Sequence, residues 1–198
     1  MSAVMSRAAP TTEEELMDRY AGGDEDAFRE LFALLAPKLR IFFLRSFVDP
    51  VLADDLTQTT FLKLHRARAA YRADRPLKPW LFTIAASVRR DELRRRYRLP
   101  PHVGELELEQ AEPQGSDEQI AVVDLDPGGE LDAVRAAVDR LPESQRAVLH
   151  LHCHEELTFD QIAEALGTTP GAVRVRASRA YERLRRVLRP LLDGDRKR

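Results

Sequence analysis

The stretch Thr158–Pro190, TFDQIAEALGTTPGAVRVRASRAYERLRRVLRP, leaves fewer folding options than any other part of this 198-residue chain. Thr158 and Gln161 stand at capping-box spacing and open a helix. Gly167 ends it, Thr169 is a good N-cap and Pro170 a good first residue for the next helix. Ala163, Gly167 and Val173 supply a small contact residue, a turn glycine and an apolar anchor, the requirements of a helix-turn-helix. At ~100° per residue, Val173, Ala177, Ala180 and Leu184 share a core-facing stripe. Arg174, Val175, Ser178 and Arg179 lie on the opposite arc, with Arg176 and Arg183 beside the stripe. A merely solvated face mixes charge signs, and this one does not until Glu182. Near the start of a recognition helix such residues reach base edges and phosphates in the major groove. Pro190 is expected to close the helix.

The rest of the chain also reads as helix, with no alternating strand pattern. Glu13–Ala21 is a short amphipathic helix closed by Gly22 and Gly23. Asp24 caps a second, with Phe28, Leu31, Phe32 and Leu35 on one face. Pro50 opens a third that runs to about Tyr71. After the polar break Arg72–Pro76 a fourth runs from about Leu77 to Tyr97. Leu131, Val134, Val138 and Leu141 mark a further helix, and Pro142 starts the one before the helix-turn-helix.

Charge is sorted along this order. Six of the ten residues from Arg89 to Arg98 are arginine. From Leu99 to Asp132 there are ten carboxylates and no Lys or Arg. From Arg174 to Arg198 ten basic residues face three acids, although the whole chain carries only −2. Such asymmetry points to nucleic acid. The acidic segment, bounded by Pro and Gly, reads as a flexible linker. The expected fold is therefore all-α: two small helical domains, 13–98 and 130–192, joined by the acidic linker 99–129, the second a helix-turn-helix domain.

The single cysteine excludes an internal disulfide framework. The N-terminus has no apolar core of signal-peptide length, and no run of ~18 apolar residues exists. A cytoplasmic protein without membrane insertion is expected. No HExxH, Walker loop, nucleophile elbow or paired CxxC is present, so neither enzyme activity nor a cofactor is expected. The stretch HLHCHEE, residues 150–156, holds three of the five histidines and the only cysteine. His150 and His154 stand at i, i+4, but Cys153 and His152 point elsewhere on one helical turn. Packed or solvated histidines, and no metal, are expected.

Five stretches in order carry a family resemblance: GGDEDAFRELF, ADDLTQTTFLKLHRA, PWLFTIAASVRRDELRRRYR, LPESQRAVLHL and the helix-turn-helix. Over residues 13–188 the chain resembles an extracytoplasmic-function (ECF) sigma factor, the small two-domain sigma of bacterial RNA polymerase. The resemblance implies that Asp54, Asp55, Gln58, Phe61 and Leu62 dock on core RNA polymerase. Tyr71, Arg72 and Asp74 match the loop that captures a flipped base of the minus-ten element. Ser87 stands where the family often has an asparagine that contributes there, and Arg90 begins the run expected along DNA phosphates. Thr169, Arg174, Val175, Ser178 and Arg179 would read the minus-thirty-five element, with His152 at a position where a basic residue often reaches DNA. The implied partners are core RNA polymerase, promoter DNA and an anti-sigma factor, with a stress or other signal as trigger. The alternative reading is a stand-alone helix-turn-helix regulator, which would bind DNA as a symmetric dimer.

In the family, the linker runs toward the polymerase active-site and RNA-exit channel, where a polyanion occupies a basic groove. Changing Glu105, Glu107, Glu109 and Glu112 together to Gln is expected to alter initiation or promoter escape, read as the ratio of abortive to full-length transcripts. Promoter selection should stay unchanged.

Overall fold

The computed structural model describes residues 12–100, 102, 104 and 130–195, with side chains over 132–189 in the second half. Among these residues all regular structure is helical, as expected. Helix α1 spans Glu13–Ala21. Thr12 starts it with a capping box: its Oγ accepts from Glu15 N–H at 3.1 Å, and its own N–H donates to the Glu15 carboxylate at 3.0 Å. Helix α2 spans Glu25–Phe47 and is capped by Asp24, whose carboxylate accepts from Asp26 and Ala27 N–H. It continues through Pro37. Proline normally breaks a helix, but here the flanking Leu31, Leu35, Leu39 and Phe42 are fully buried and packing overrides the lost donor.

Helix α3 spans Pro50–Ala67, with Asp49 as N-cap. It stops short of the expected end near Tyr71. Residues Arg68–Ala70 tighten into a 3₁₀ turn before Tyr71 becomes extended. Helix α4 spans Leu77–Tyr97, as expected. In the second half α5 is Glu130–Asp139, α6 Glu143–Cys153, α7 Phe159–Leu166 and α8 Pro170–Asp195. Pro190 does not close α8: the helix runs five residues beyond it. One missing backbone donor is insufficient to end a helix already several turns long. Most of the expected acidic linker, residues 105–129, lies outside the described residues.

Two sets of apolar side chains form the core. Leu16, Leu31, Leu35, Phe43, Leu64 and Leu81 pack α1–α4 together, while Val148, Leu151, Ile162, Leu166 and Val173 pack α6–α8. The two sets are continuous. Helix α2 lies against α6, and α4 against α7. The sequence suggested two domains joined by a flexible linker; the described residues bring them face to face. The seam combines oil and charge. His150 sits beside Phe42 and Phe82, with ring centroids 5.7 and 6.5 Å away. Arg146 donates to the carbonyls of Arg45 at 2.5 Å and Ser46 at 3.0 Å. Those carbonyls belong to the last turn of α2, where helical acceptors lack intrahelical donors.

Val48 ends α2 in the left-handed region at φ 56° and is 59% exposed. A β-branched residue is strained there and gains little from burial. Val48→Asn, which tolerates this conformation, is expected to raise stability by about 0.5–1 kcal/mol in urea unfolding.

Candidate nucleic-acid interface

The helix-turn-helix is built by its caps. Thr158 Oγ accepts from Gln161 N–H, and the Gln161 amide accepts from Thr158 N–H at 2.9 Å. Gly167, at φ 68°, lets Thr168 N–H reach back to the Ala163 carbonyl at 2.9 Å, turning the chain into α8. Thr169 Oγ accepts from Ala172 N–H at 3.2 Å, which leaves the hydroxyl hydrogen to donate outward. Val173, Ala177 and Ala180 are buried, and Arg176 is buried with them. Arg174, Val175, Ser178 and Arg179 are all exposed. This face presents two guanidinium groups, a hydroxyl and an isopropyl group: donors for guanine edges and phosphates, and an apolar surface for a thymine methyl. Arg174 also stands 3.8 Å from Asp160. Arg183 turns inward to Gln145, at 3.4 Å.

His152 lies at the edge of this face and is half-buried. Its ring stacks on Phe159 at 4.6 Å, and Nδ1 is 3.0 Å from the Leu157 carbonyl. A carbonyl only accepts, so Nδ1 carries the proton of the neutral ring. On the neutral ring Nε2 therefore has no hydrogen to give a phosphate; only the protonated ring offers Nε2–H.

In the first half, Tyr71, Arg72 and Asp74 share one exposed turn. The Tyr71 hydroxyl donates to the Arg75 carbonyl at 3.0 Å, and its ring lies 5.2 Å from Trp80. Partial burial, with Glu14, Asp18 and Asp74 nearby, pushes its hydroxyl up to about 12, so it stays a neutral donor. Arg72 and Asp74 pair through two bonds, at 3.2 and 3.0 Å. Both are exposed, and the guanidinium plane remains available for stacking. Ser87 is half-buried on α4. Arg90 does not face outward: its Nη2 donates to the Leu166 carbonyl at 2.6 Å and lies 3.0 Å from where a Cβ of Gly167 would stand. A side chain at that turn would meet Arg90, so glycine serves there both for its backbone angle and for space. Further along α4, Arg95, Arg96 and Arg98 are exposed.

The expected docking patch lies on α3. Asp54, Asp55, Gln58 and Leu62 are exposed, Leu62 at 60%. Arg40 donates to Asp54 at 2.6 Å, and beside them a shallow cavity of about 390 Å³ runs between α2 and α3 along Phe32, Ala36, Pro37 and Thr57. Phe61 is a correction. It is buried against Phe28 and Phe32, with centroids 6.1 and 4.6 Å away, so it fixes α3 on α2 and does not itself face a partner.

Two family models match the chain. The model of Sigma-70 region 2 matches residues 31–99, and that of Sigma-70 region 4 matches 131–184. RNA polymerase sigma factor CarQ of Myxococcus xanthus is 36% identical over 172 residues, covering 87% of this chain and 95% of CarQ. The chain belongs to the ECF sigma factors. The RNA polymerase sigma-H factor of Pseudomonas aeruginosa is 30% identical over 91% of this chain and 95% of its own. The structure of CnrH in complex with the cytosolic domain of CnrY is 28% identical, with a TM-score of 0.55 over 92% of this chain and 98% of that one. The sigma factor RpoE of Bartonella quintana, solved with the anti-sigma factor NepR, shares the fold at a TM-score of 0.59 and 24% identity, over 82% and 96% of the two chains. As a sigma factor the protein directs RNA polymerase to promoters, and the reading as a stand-alone regulator falls away. No described helix is long and apolar enough to cross a membrane.

HLHCHEE has a separate place in this sigma factor. Among the described residues no three His, Cys, Asp or Glu side chains gather as a metal site. Cys153 is exposed, with Sγ 3.4 Å from the Tyr181 hydroxyl. His154 is exposed, its ring 5.2 Å from that of His150. His150 is 2% exposed, and neither ring nitrogen has a hydrogen-bond partner. Burial first, then His154 and Arg45, pushes it down to about 3, so it is neutral at neutral pH. Glu155 lies 3.7 Å from its Nε2 and 4.0 Å from Lys78, and burial raises that carboxyl.

A histidine depressed on folding gives its full stability above the unfolded value near 6.5 and loses it as pH falls toward the folded value. The raised carboxyl acts oppositely, favouring the folded form as it protonates at lower pH. From pH 6.5 to 5.5 the His150 effect is expected to lower stability by about 1 kcal/mol. His150→Leu should flatten that slope in urea titrations at the two pH values.

Proposed function

We propose that this sigma factor divides promoter recognition between its halves. Residues 13–98 dock on core polymerase through Asp54, Asp55, Gln58 and Leu62. The same half captures a base of the minus-ten element at Tyr71, Arg72 and Asp74, with Ser87 and Arg90 on the adjoining helix. Residues 130–192 read the minus-thirty-five element through Thr169, Arg174, Val175, Ser178 and Arg179, with His152 at the edge. Residues 99–129 are the acidic tether. The observation that carries this reading is the exposed arc of α8: two arginines, a serine and a valine point outward while their neighbours Arg176 and Val173 are buried. The protein acts as a subunit without catalysis of its own, in the cytoplasm beside the polymerase.

An anti-sigma factor is the proposed regulator. CnrH was solved with the cytosolic domain of CnrY, and RpoE with an anti-sigma factor. The exposed cavity between α2 and α3 is available to such a partner as well as to polymerase.

Run-off transcription with purified core polymerase tests the assignment. Arg174→Ala and Arg179→Ala should each weaken use of the upstream element, by ~1–3 kcal/mol where a bidentate base contact is lost. Arg183→Ala should leave promoter choice nearly unchanged, because that side chain turns toward Gln145. Equal losses from all three would refute the assignment of faces.

A further inference from the structure

Three arginines at the junction of the two halves find their partners inside the chain. Arg89 is fully buried and pairs with Glu143: Nε donates to one carboxylate oxygen, and Nη2 to the other at 2.8 Å. Arg90 donates to the Leu166 carbonyl, and Arg146 to the last carbonyls of α2. Arg45, in the last turn of α2, differs. It is half-buried, yet among the described residues its guanidinium meets neither an acceptor nor a carboxylate.

Arg45 faces a cavity of about 140 Å³ between α2, α5, α6 and α8. The walls divide by chemistry. Val138, Leu149 and Leu184 form an apolar side, and Arg45 and Arg146 bring positive charge to the other. No described carboxylate lines the cavity. His150 also lines it, 2% exposed and with both ring nitrogens unpartnered. A buried N–H without an acceptor costs about 1–3 kcal/mol, so a group placed this way calls for a partner. Glu155, 3.7 Å from His150 Nε2 and 4.0 Å from Lys78, is not part of the wall. The positive field is felt by His154, which burial first and then Arg45 hold below the usual imidazole range. Cys153 and Tyr181 stand exposed on the rim, thiol and hydroxyl 3.4 Å apart.

These groups suit one kind of ligand. A planar guanidinium fork matches a carboxylate through two parallel hydrogen bonds. A neutral imidazole adds one N–H donor. The apolar side suits a hydrocarbon body. The volume equals about five waters at ~30 Å³ each, room for a carboxylate and a few carbons. None of the residues assigned above to DNA or polymerase lines this cavity.

We propose that the cavity is a binding site for a small carboxylic acid with a short apolar body. Arg45 and the His150 ring hold the carboxylate, and Val138, Leu149 and Leu184 hold the body. The bound acid joins α2 to α6 and α8 and shields Cys153.

The single cysteine reports on the site in the full chain. Iodoacetate is itself a small carboxylate: its methylene carbon bonds to the Cys153 sulfur, iodide leaves, and the thiol proton goes to buffer. Iodoacetamide reacts the same way but is neutral. The ratio of the two rates should be about tenfold or more higher in the folded protein than in the same chain in urea, because a cationic cleft concentrates anions. Isobutyrate should slow iodoacetate several-fold, saturably, and raise the melting temperature. Isobutyramide, and inorganic phosphate at matched ionic strength, should do neither. Arg45→Ala should bring the rate ratio close to its value in urea and abolish the melting shift. Val138→Phe fills the apolar side while leaving the charges, and should abolish protection by isobutyrate. Circular dichroism identifies any variant that has unfolded, and the unsubstituted protein with its three ligands then decides. A rate ratio equal to that in urea, with no effect of isobutyrate, would overturn the site. Equal protection by phosphate or isobutyramide would overturn the carboxylic acid as its ligand.

Discussion

The ion pair between Arg89 and Glu143 decides how the halves of this molecule meet. Apolar packing alone would let α4 and α7 slide, because hydrophobic contact is non-directional. A fully buried guanidinium admits no such freedom. Its desolvation is offset only where both carboxylate oxygens are presented, and removing one partner of such a pair typically costs about 3–5 kcal/mol. Replacing both partners with apolar side chains is often neutral, so the pair contributes specificity more than net stability. Arg146 and His150 then follow from the same seam: one satisfies the exposed end of α2, and the other fills the space beside Phe42 and Phe82.

The same arginine chemistry serves two ends on α4. Toward its C-terminus Arg95, Arg96 and Arg98 face water, where cations suit both the end of a helix dipole and a phosphate backbone. At its middle Arg89 and Arg90 face the other half of the chain. The helix carrying the exposed arginines is therefore also the helix that packs against the other half of the chain. On α8 the division is around the axis: Arg174 and Arg179 point outward, while Arg176, two and three residues from them, is buried.

Much of this was legible in the chain. Capping residues Asp24, Thr158 and Thr169 mark helix starts because they act on their own backbone within three residues. The wheel of α8 separates Arg174 from Arg176 because helical geometry is local. What failed was non-local. Pro190 looks like a breaker, but helix length outweighs one lost donor. Phe61 looks like an anchor for a partner, but Phe28 and Phe32 cover it. The seam itself joins residues 54 to 101 positions apart, and nothing in a single sequence pairs them. One sign was present: Arg89 follows Leu81, Ala85 and Val88 on the buried stripe of α4, where a charge requires a buried partner.

The buried Arg89–Glu143 pair joins the two halves in the free protein, whereas a promoter requires them apart. The most direct measurement is the distance between labels on α3 and α8 in the complete polymerase–promoter complex, compared with the free protein. A single short distance is expected in the free sigma factor, and a separation larger by tens of ångströms in the complex. The same short distance in both states, in a complex that initiates specifically, would contradict it.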